Sequence, residues 1–319
     1  MYFSSLPEAY APVGAPLRYA LTGGTSDETL VRIFADGDRL LGTKRFTEPQ
    51  PVGFDIGPCV RGALRFAPEA GPTGVLPADE RVLTVVVEAE NGAECIRSVA
   101  RTFTAGDRPA AAPALLTTLP PNRLIAPDGC DELTLLAAGP MQITVEADNS
   151  GVPRRYAVAS AGVHRFRLSA ADFPGAAQLT VGLGPCGTVR YTVLPPPDGA
   201  QCVAWRSRAG SLEHYTFPVV QRVGRRVVRQ RACDAEGQIV VHGLAGGEQV
   251  ELRGACETAS VLAGLAGLLD APEVWWLDAS GYRPVDVLTE QAELHRYGAL
   301  RALTITVRST RPDEPLWSC

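Results

Sequence analysis

Lysine is almost missing from this chain: of 30 basic residues among 319, only Lys44 is a lysine. With Ala and Gly abundant, this reads as genomic compositional bias and need not reflect selection for guanidinium chemistry. Close cysteine pairs are missing too. The eight cysteines, at 59, 95, 130, 186, 202, 233, 256 and 319, contain no CxxC. A structural metal site normally shows at least one close ligand pair, so no metal is expected, and buried reduced thiols are the simplest reading. No apolar run approaches the ~18–20 residues of a membrane span; the longest, near 261–269, is short and holds Gly264 and Gly267. The opening MYFSSLPEAYAPVGAPL has neither a basic n-region nor a continuous apolar h-region, so no signal peptide is expected. Catalytic signatures are also lacking: there is no GxSxG, no HExxH and no GxxxxGKS/T. A net charge of −5 argues against a protein whose main partner is nucleic acid.

What the chain does hold is strand after strand. Hydrophobic content of 45% with 20% charged residues marks a folded globular protein. Its 26 prolines and 32 glycines fall between apolar runs, as β-protein punctuation. TLVRIFAD (29–36), RVLTVVVEAE (81–90), MQITVEAD (141–148), VHRFRLS (163–169), TVRYTVL (188–194) and QIVVHGL (238–244) are short β-rich segments bounded by turn residues. The fold class predicted is mainly β, with two N-terminal β-sandwich-like domains followed by a smaller α+β domain with one helix. Residues 1–107 carry six or seven strands, which suits a fibronectin- or immunoglobulin-like sandwich. Within them, Gly57-Pro58 predicts a bend or sheet switch between two strands. Residues 108–195 form a second sandwich or barrel, entered through a Pro/Ala-rich connector (106–127) whose Leu115, Leu116 and Leu119 predict docking on a neighbour. Residues 196–319 form the α+β domain. Its helix is predicted from Val261, Leu262, Leu265, Leu268 and Leu269 at helical spacing, with Thr258 or Ser260 as cap and Asp270-Ala271-Pro272 as stop.

Candidate functional residues concentrate in the last domain. His214, in SLEHYTFP, is the most enzyme-like, yet no positioned nucleophile or metal motif accompanies it. A packed or interfacial aromatic strand, with Tyr215 and Phe217, is the better reading. RVGRRVVRQR (222–231) holds five arginines, among them Arg225, Arg226 and Arg229. Valines interrupt the run and aromatics are absent from it, which favours a solvent-facing hairpin or an acidic partner subunit over nucleic acid. Trp275 and Trp276 are adjacent, so on a strand one ring points inward and one outward. The outward one, with Trp317, predicts a protein interface.

AWRSRAGSLEHYTFP (204–218) and LAGLLDAPEVWWLDASGYRPVDVL (265–288) carry a resemblance. The first is similar to a tryptophan–glycine–tyrosine-threonine-phenylalanine strand pattern of structural tail or baseplate-type proteins of Bacteroidetes phages and prophages. The second, a helix followed by a strand and a polar turn, resembles the companion piece in the same proteins. The resemblance covers mainly the last 120 residues. It implies a non-enzymatic virion component, present as a homo-oligomer among other virion structural proteins, with no cofactor and no catalytic residues. The alternative is a surface or secreted β-sandwich module binding glycans or proteins; a hydrolase centred on His214 is a third reading.

Overall fold

The structure, a computed structural model, describes residues 1–48, 51–78, 81–291, 294–297, 300–311 and 316, without side-chain detail at 244–245 and 294–297. Strands make up 53% of it and helices 8%, so the mainly-β class read from the sequence holds.

Two antiparallel sheets form the first unit. One contains Tyr2–Ser5, Arg18–Thr22 and Val52–Asp55; the other contains Arg39–Phe46, Thr29–Ala35, Val82–Asn91, Glu94–Arg97 and Arg101–Thr104. Thr29–Ala35 is paired on both sides, and Thr29, Val31, Ile33 and Ala35 are its buried face. Val31, Ile33 and Ala35 meet Tyr19, Leu21 and Phe54 of the facing sheet, and Leu17 just before it, in one core. Gly57-Pro58 begins a seven-residue helix, Gly57–Ala63, and does not simply bend a strand. Proline suits a first helical turn because its missing N–H has no partner there, and the Asp55 carboxylate accepts the Gly57 amide at 2.8 Å.

The second unit repeats the plan. Ala114–Leu116, Cys130–Ala137 and Gly162–Ser169 form one sheet; Asn122–Ile125, Thr188–Val193, Gln178–Gly182, Met141–Ala147 and Arg154–Val158 form the other. The turn composition at Asp148–Gly151 joins Met141–Ala147 to Arg154–Val158 as an antiparallel hairpin. Both units send their first two strands to one sheet, the next two to the other, the fifth back, and the last ones across again; in the second unit the first strand is split between the sheets. The Pro/Ala-rich connector is therefore that split first strand. Gly74–Leu76, from inside residues 1–107, pairs with Gly162–Ser169 and widens the second unit's sheet, so one strand crosses the expected boundary.

The third unit is a single antiparallel sheet, in the order Leu212–Phe217, Gln201–Arg206, Val274–Asp278, Gly281–Val287, Leu300–Ser309, Ile239–Arg253, Val219–Cys233. Its two end strands, Leu212–Phe217 and Val219–Cys233, are joined through Pro218 alone. The sheet must therefore curl until its margins meet. The helix Ala259–Leu265 and the turn Ala266–Leu268 pack into this curl through Leu262, Leu265 and Leu268, against Val203, Trp205, Phe217 and Ile305. Leu119 of the connector is sealed in the same core.

Gly264 shows why a helix tolerates a poor helix former here. A Cβ at this position would lie 2.8 Å from the Thr118 carbonyl oxygen and 2.9 Å from Leu119 Cδ2. On an exposed helix Gly→Ala gains up to ~1 kcal/mol. At Gly264 the sign should reverse, because the methyl would push on connector backbone. We expect Gly264→Ala to destabilise the protein by about 1–3 kcal/mol, read as a lowered melting temperature with an unchanged circular dichroism spectrum.

Candidate functional site

The outer face of the third unit's sheet is where the sequence-predicted residues meet their partners. Alternation along Val274–Asp278 sends Trp276 into the third unit's own core and Trp275 to the opposite face. That face is not left wet. Trp275, Ala204 and Leu212 join the first unit's core, and Trp275 and Trp276 are only 6% and 1% exposed. The ring expected to await another molecule is covered by the chain's own N-terminal sandwich, a tertiary contact that strand periodicity does not reveal. Tyr215 and Phe217 pack edge-on at 5.0 Å; Phe217 is buried in the third core and Tyr215 donates to Glu257 at 2.9 Å. Trp317 lies outside the described residues.

His214 points from that same outer face toward the second unit. Its Nδ1 lies 3.0 Å from Asp131 Oδ1 and its Nε2 2.8 Å from the Tyr282 hydroxyl. An ionised carboxylate only accepts, so the proton sits on Nδ1, and in the neutral ring Tyr282 donates to Nε2. Asp131 Oδ2 accepts from Arg123 Nη1 at 2.7 Å and from the Tyr191 hydroxyl at 2.8 Å. Burial alone would raise the Asp131 pKa. The Arg123 guanidinium and the hydrogen bonds from His214 and Tyr191 outweigh it and hold the carboxyl at about 2. The hydroxyls of Tyr191 and Tyr282 are pushed up, first by burial and then by neighbouring acidic groups.

The network does not stop there. Arg123 Nη2 donates to Thr117 Oγ1 at 2.7 Å, and Thr117 Oγ1 donates to Glu213 Oε1 at 2.7 Å. Glu213, on the face of its strand opposite His214, also accepts from the amide and hydroxyl of Thr118. One continuous polar seam thus ties the connector, the second sandwich and the third sheet together. A parallel seam joins all three units. Arg81 Nη2 meets Glu132 Oε1 at 2.7 Å, and Phe66 lies between the guanidinium groups of Arg81 and Arg206, at 3.7 and 4.9 Å from the ring centroid. Arg206 in turn donates to the Ala105 carbonyl and to Glu273.

Chemically, the His214 cluster has the order of a proton relay: Cys130 Sγ, 3.5 Å from the Tyr282 hydroxyl, then His214, then Asp131. Yet burial raises the Cys130 thiol pKa, the reverse of what activates a nucleophile. Cys202, on the same face, is pushed up to about 12 by burial. Among the described residues no cluster of His, Cys, Asp and Glu has a metal-binding arrangement. Two shallow, open grooves flank the Asp148–Gly151 turn of the second unit; one is lined by Arg154, Asp172 and Phe173, the other by Glu146, Asp148 and Gln178.

The arginine run forms the outer part of a long hairpin. Val219–Cys233 pairs with Ile239–Arg253 along its whole length, whereas Ile239–Arg253 pairs with the body only at Val250–Arg253. Beyond that anchor, the strand from Gly224 to Cys233 extends roughly 30 Å at about 3.3 Å per residue. Arg225, Arg226 and Arg229 are all exposed along this arm. Its length is not legible from alternation, where QIVVHGL reads as a short segment of its own.

Removing one partner from a buried charge pair leaves the other unsatisfied, at a cost of about 3–5 kcal/mol. Asp131→Ala should therefore destabilise the protein by that order in urea unfolding at neutral pH. The Asp131 pKa is depressed in the folded state, so its contribution is present above ~4 and is lost as pH falls toward 2. Relative to Asp131→Asn, the natural chain should lose about 2 kcal/mol more stability between pH 5 and 2. Parallel acid-unfolding curves for the two would refute this role.

No protein-family model matches the chain and no curated protein matches it, so its function has to be read from the seam and the arm.

Proposed function

We propose that the chain is a non-enzymatic structural subunit of a phage tail, baseplate or related virion assembly, built for contact with neighbouring subunits. The arm carries this reading. Hydrophobic side chains left in water on a projecting element mark association surfaces. Of the fourteen large hydrophobic residues exposed among those described, seven lie on this one hairpin: Val219, Val223, Val227, Val228, Ile239, Val240 and Val241.

The body suits the same role. Two sandwiches of one strand order, in the manner of immunoglobulin-type modules, are fixed to a curled sheet by buried polar seams, which favours a stiff spacer over a hinged enzyme. His214 has both ring nitrogens engaged, by buried Asp131 and half-buried Tyr282, which supports a packing role for the most enzyme-like residue in the sequence. The resemblance of residues 204–218 and 265–288 to tail and baseplate-type proteins points the same way. A glycan-binding module has less support: the grooves at the Asp148–Gly151 turn are open and polar, and the one aromatic ring lining them, Phe173, is covered by Arg154 at 4.4 Å.

The test is particle composition. In cells producing virions from the source genome, the protein should co-sediment with tails or intact particles and be seen there by immunogold labelling. Its absence from purified particles, with the protein abundant in the lysate, would overturn the reading. Binding to a glycan array at micromolar affinity would favour the alternative.

A further inference from the structure

We propose that the arm, residues 222–247, docks on the body of a second copy of this chain, so that subunits join arm to body. This deepens the assembly reading by naming the partner and the surface. Five arginines against Asp234 and Glu236 give the segment a formal charge of +3, which leaves −8 on the rest of a chain whose total is −5. The arm's charge therefore complements its own body. It points away from that body, however, and pairs with nothing beyond its anchor at Val250–Arg253.

The pairing register shows which arginines are left over. Arg222 and Arg225 stand opposite Glu251 and Glu248, whereas Arg226, Arg229 and Arg231 stand opposite Gly247, Leu244 and Val241. Among the described residues none of the five arginines makes an ion pair. Arginine among apolar neighbours is the composition that interfaces favour. A duplex or single-stranded nucleic acid would use the charge but not the valines, and the arm offers no Phe, Tyr or Trp for base stacking.

Glycine adds a second observation. Gly243, Gly246 and Gly247 lie together on the returning strand, where they weaken a hairpin that already lacks a third strand. A Cβ on Gly246 would come within 2.1 Å of the Arg226 carbonyl oxygen, so that position is held to glycine. The outcome is a glycine-rich stretch, 243–247, beside a strand of arginines and valines, a profile open to close approach by another backbone. Because the arm and the body surface it seeks are different patches, the contact is head-to-tail. Repeated contacts of that kind close into a ring or run on as a filament.

Sedimentation velocity of the full chain at tens of micromolar tests this. At low ionic strength we expect self-association that weakens steeply with added salt. Replacing residues 223–247 with a two-residue turn should give monomers at every concentration, with the melting temperature kept because the arm contributes to no core. A second variant, R226E/R229E/R231E, keeps the hairpin and should weaken association at least ~10-fold. A monomeric natural chain at low salt overturns the proposal. So does an oligomer that survives both variants, or an arm that binds duplex DNA in a gel shift while leaving self-association unchanged. The arm-dependent assembly of purified protein is read independently of virion composition. If arm-deleted protein enters particles at normal levels, the arm inference fails and the assembly reading stands; if the protein self-associates through its arm but is absent from particles, the reverse holds.

Discussion

A carboxylate cut off from water must collect its hydrogen bonds from protein, and Asp131 collects them from three separate stretches of chain. Arg123 comes from the connector, Tyr191 from the last strand of the second sandwich, and His214 from the third unit's sheet. Such a group is costly to bury and still costlier to leave half-satisfied. The units therefore cannot separate or rotate slightly without exposing an orphaned charge. Direction matters more here than net gain: a buried pair adds little stability against a hydrophobic substitute, but it penalises every arrangement except the one that satisfies it.

The same strand carries the second seam. Along Cys130–Ala137, Leu133 and Leu135 face the sandwich core while Glu132 turns to Arg81 of the first unit and Arg165 of its own. This explains why a strand of a two-layer sandwich is buried on both faces, where the outer face would ordinarily be wet. The first unit covers its outer side, and Gly74–Leu76 reaches over to lengthen the sheet. The third unit is held from both sides in turn, since Trp275 enters the first unit's core and His214 enters the Asp131 cluster from one face of one sheet.

Much of this architecture was legible from alternation and turn composition. TLVRIFAD, MQITVEAD, VHRFRLS and TVRYTVL read as strands, and each forms one. The helix at 259–265 follows from the Leu262, Leu265 and Leu268 stripe. What escaped was tertiary. The helix at 57–63 is too short for a periodic signal, and its proline reads equally well as a strand break. The connector's prolines hid two strands because proline is compatible with an edge strand. The seam could not be seen at all: Asp131 lies 83 residues from His214 and 60 from Tyr191, and nothing local marks such partners. Alternation says that one of Trp275 and Trp276 faces away from its own core, and Trp275 does, yet a lone sequence does not say that another part of the same chain covers it.

The arm stands against this economy of burial. On the body, Trp275 and the outer face of Cys130–Ala137 are covered by another unit of the same chain. On the hairpin the large side chains are not, although a two-stranded ribbon gains nothing from its own exposed valines. Exposed strand edges are ordinarily guarded by charge, proline or shortness, because an open ladder pairs with whatever strand it meets. Here the guard is charge of one sign, the sign opposite to that of the remaining chain. Like arms repel each other side by side, which suppresses indiscriminate ribbon stacking, while an acidic surface is left as the favoured partner. In the proposed arm-to-body contact, this arrangement excludes the wrong pairing and admits one class of right ones.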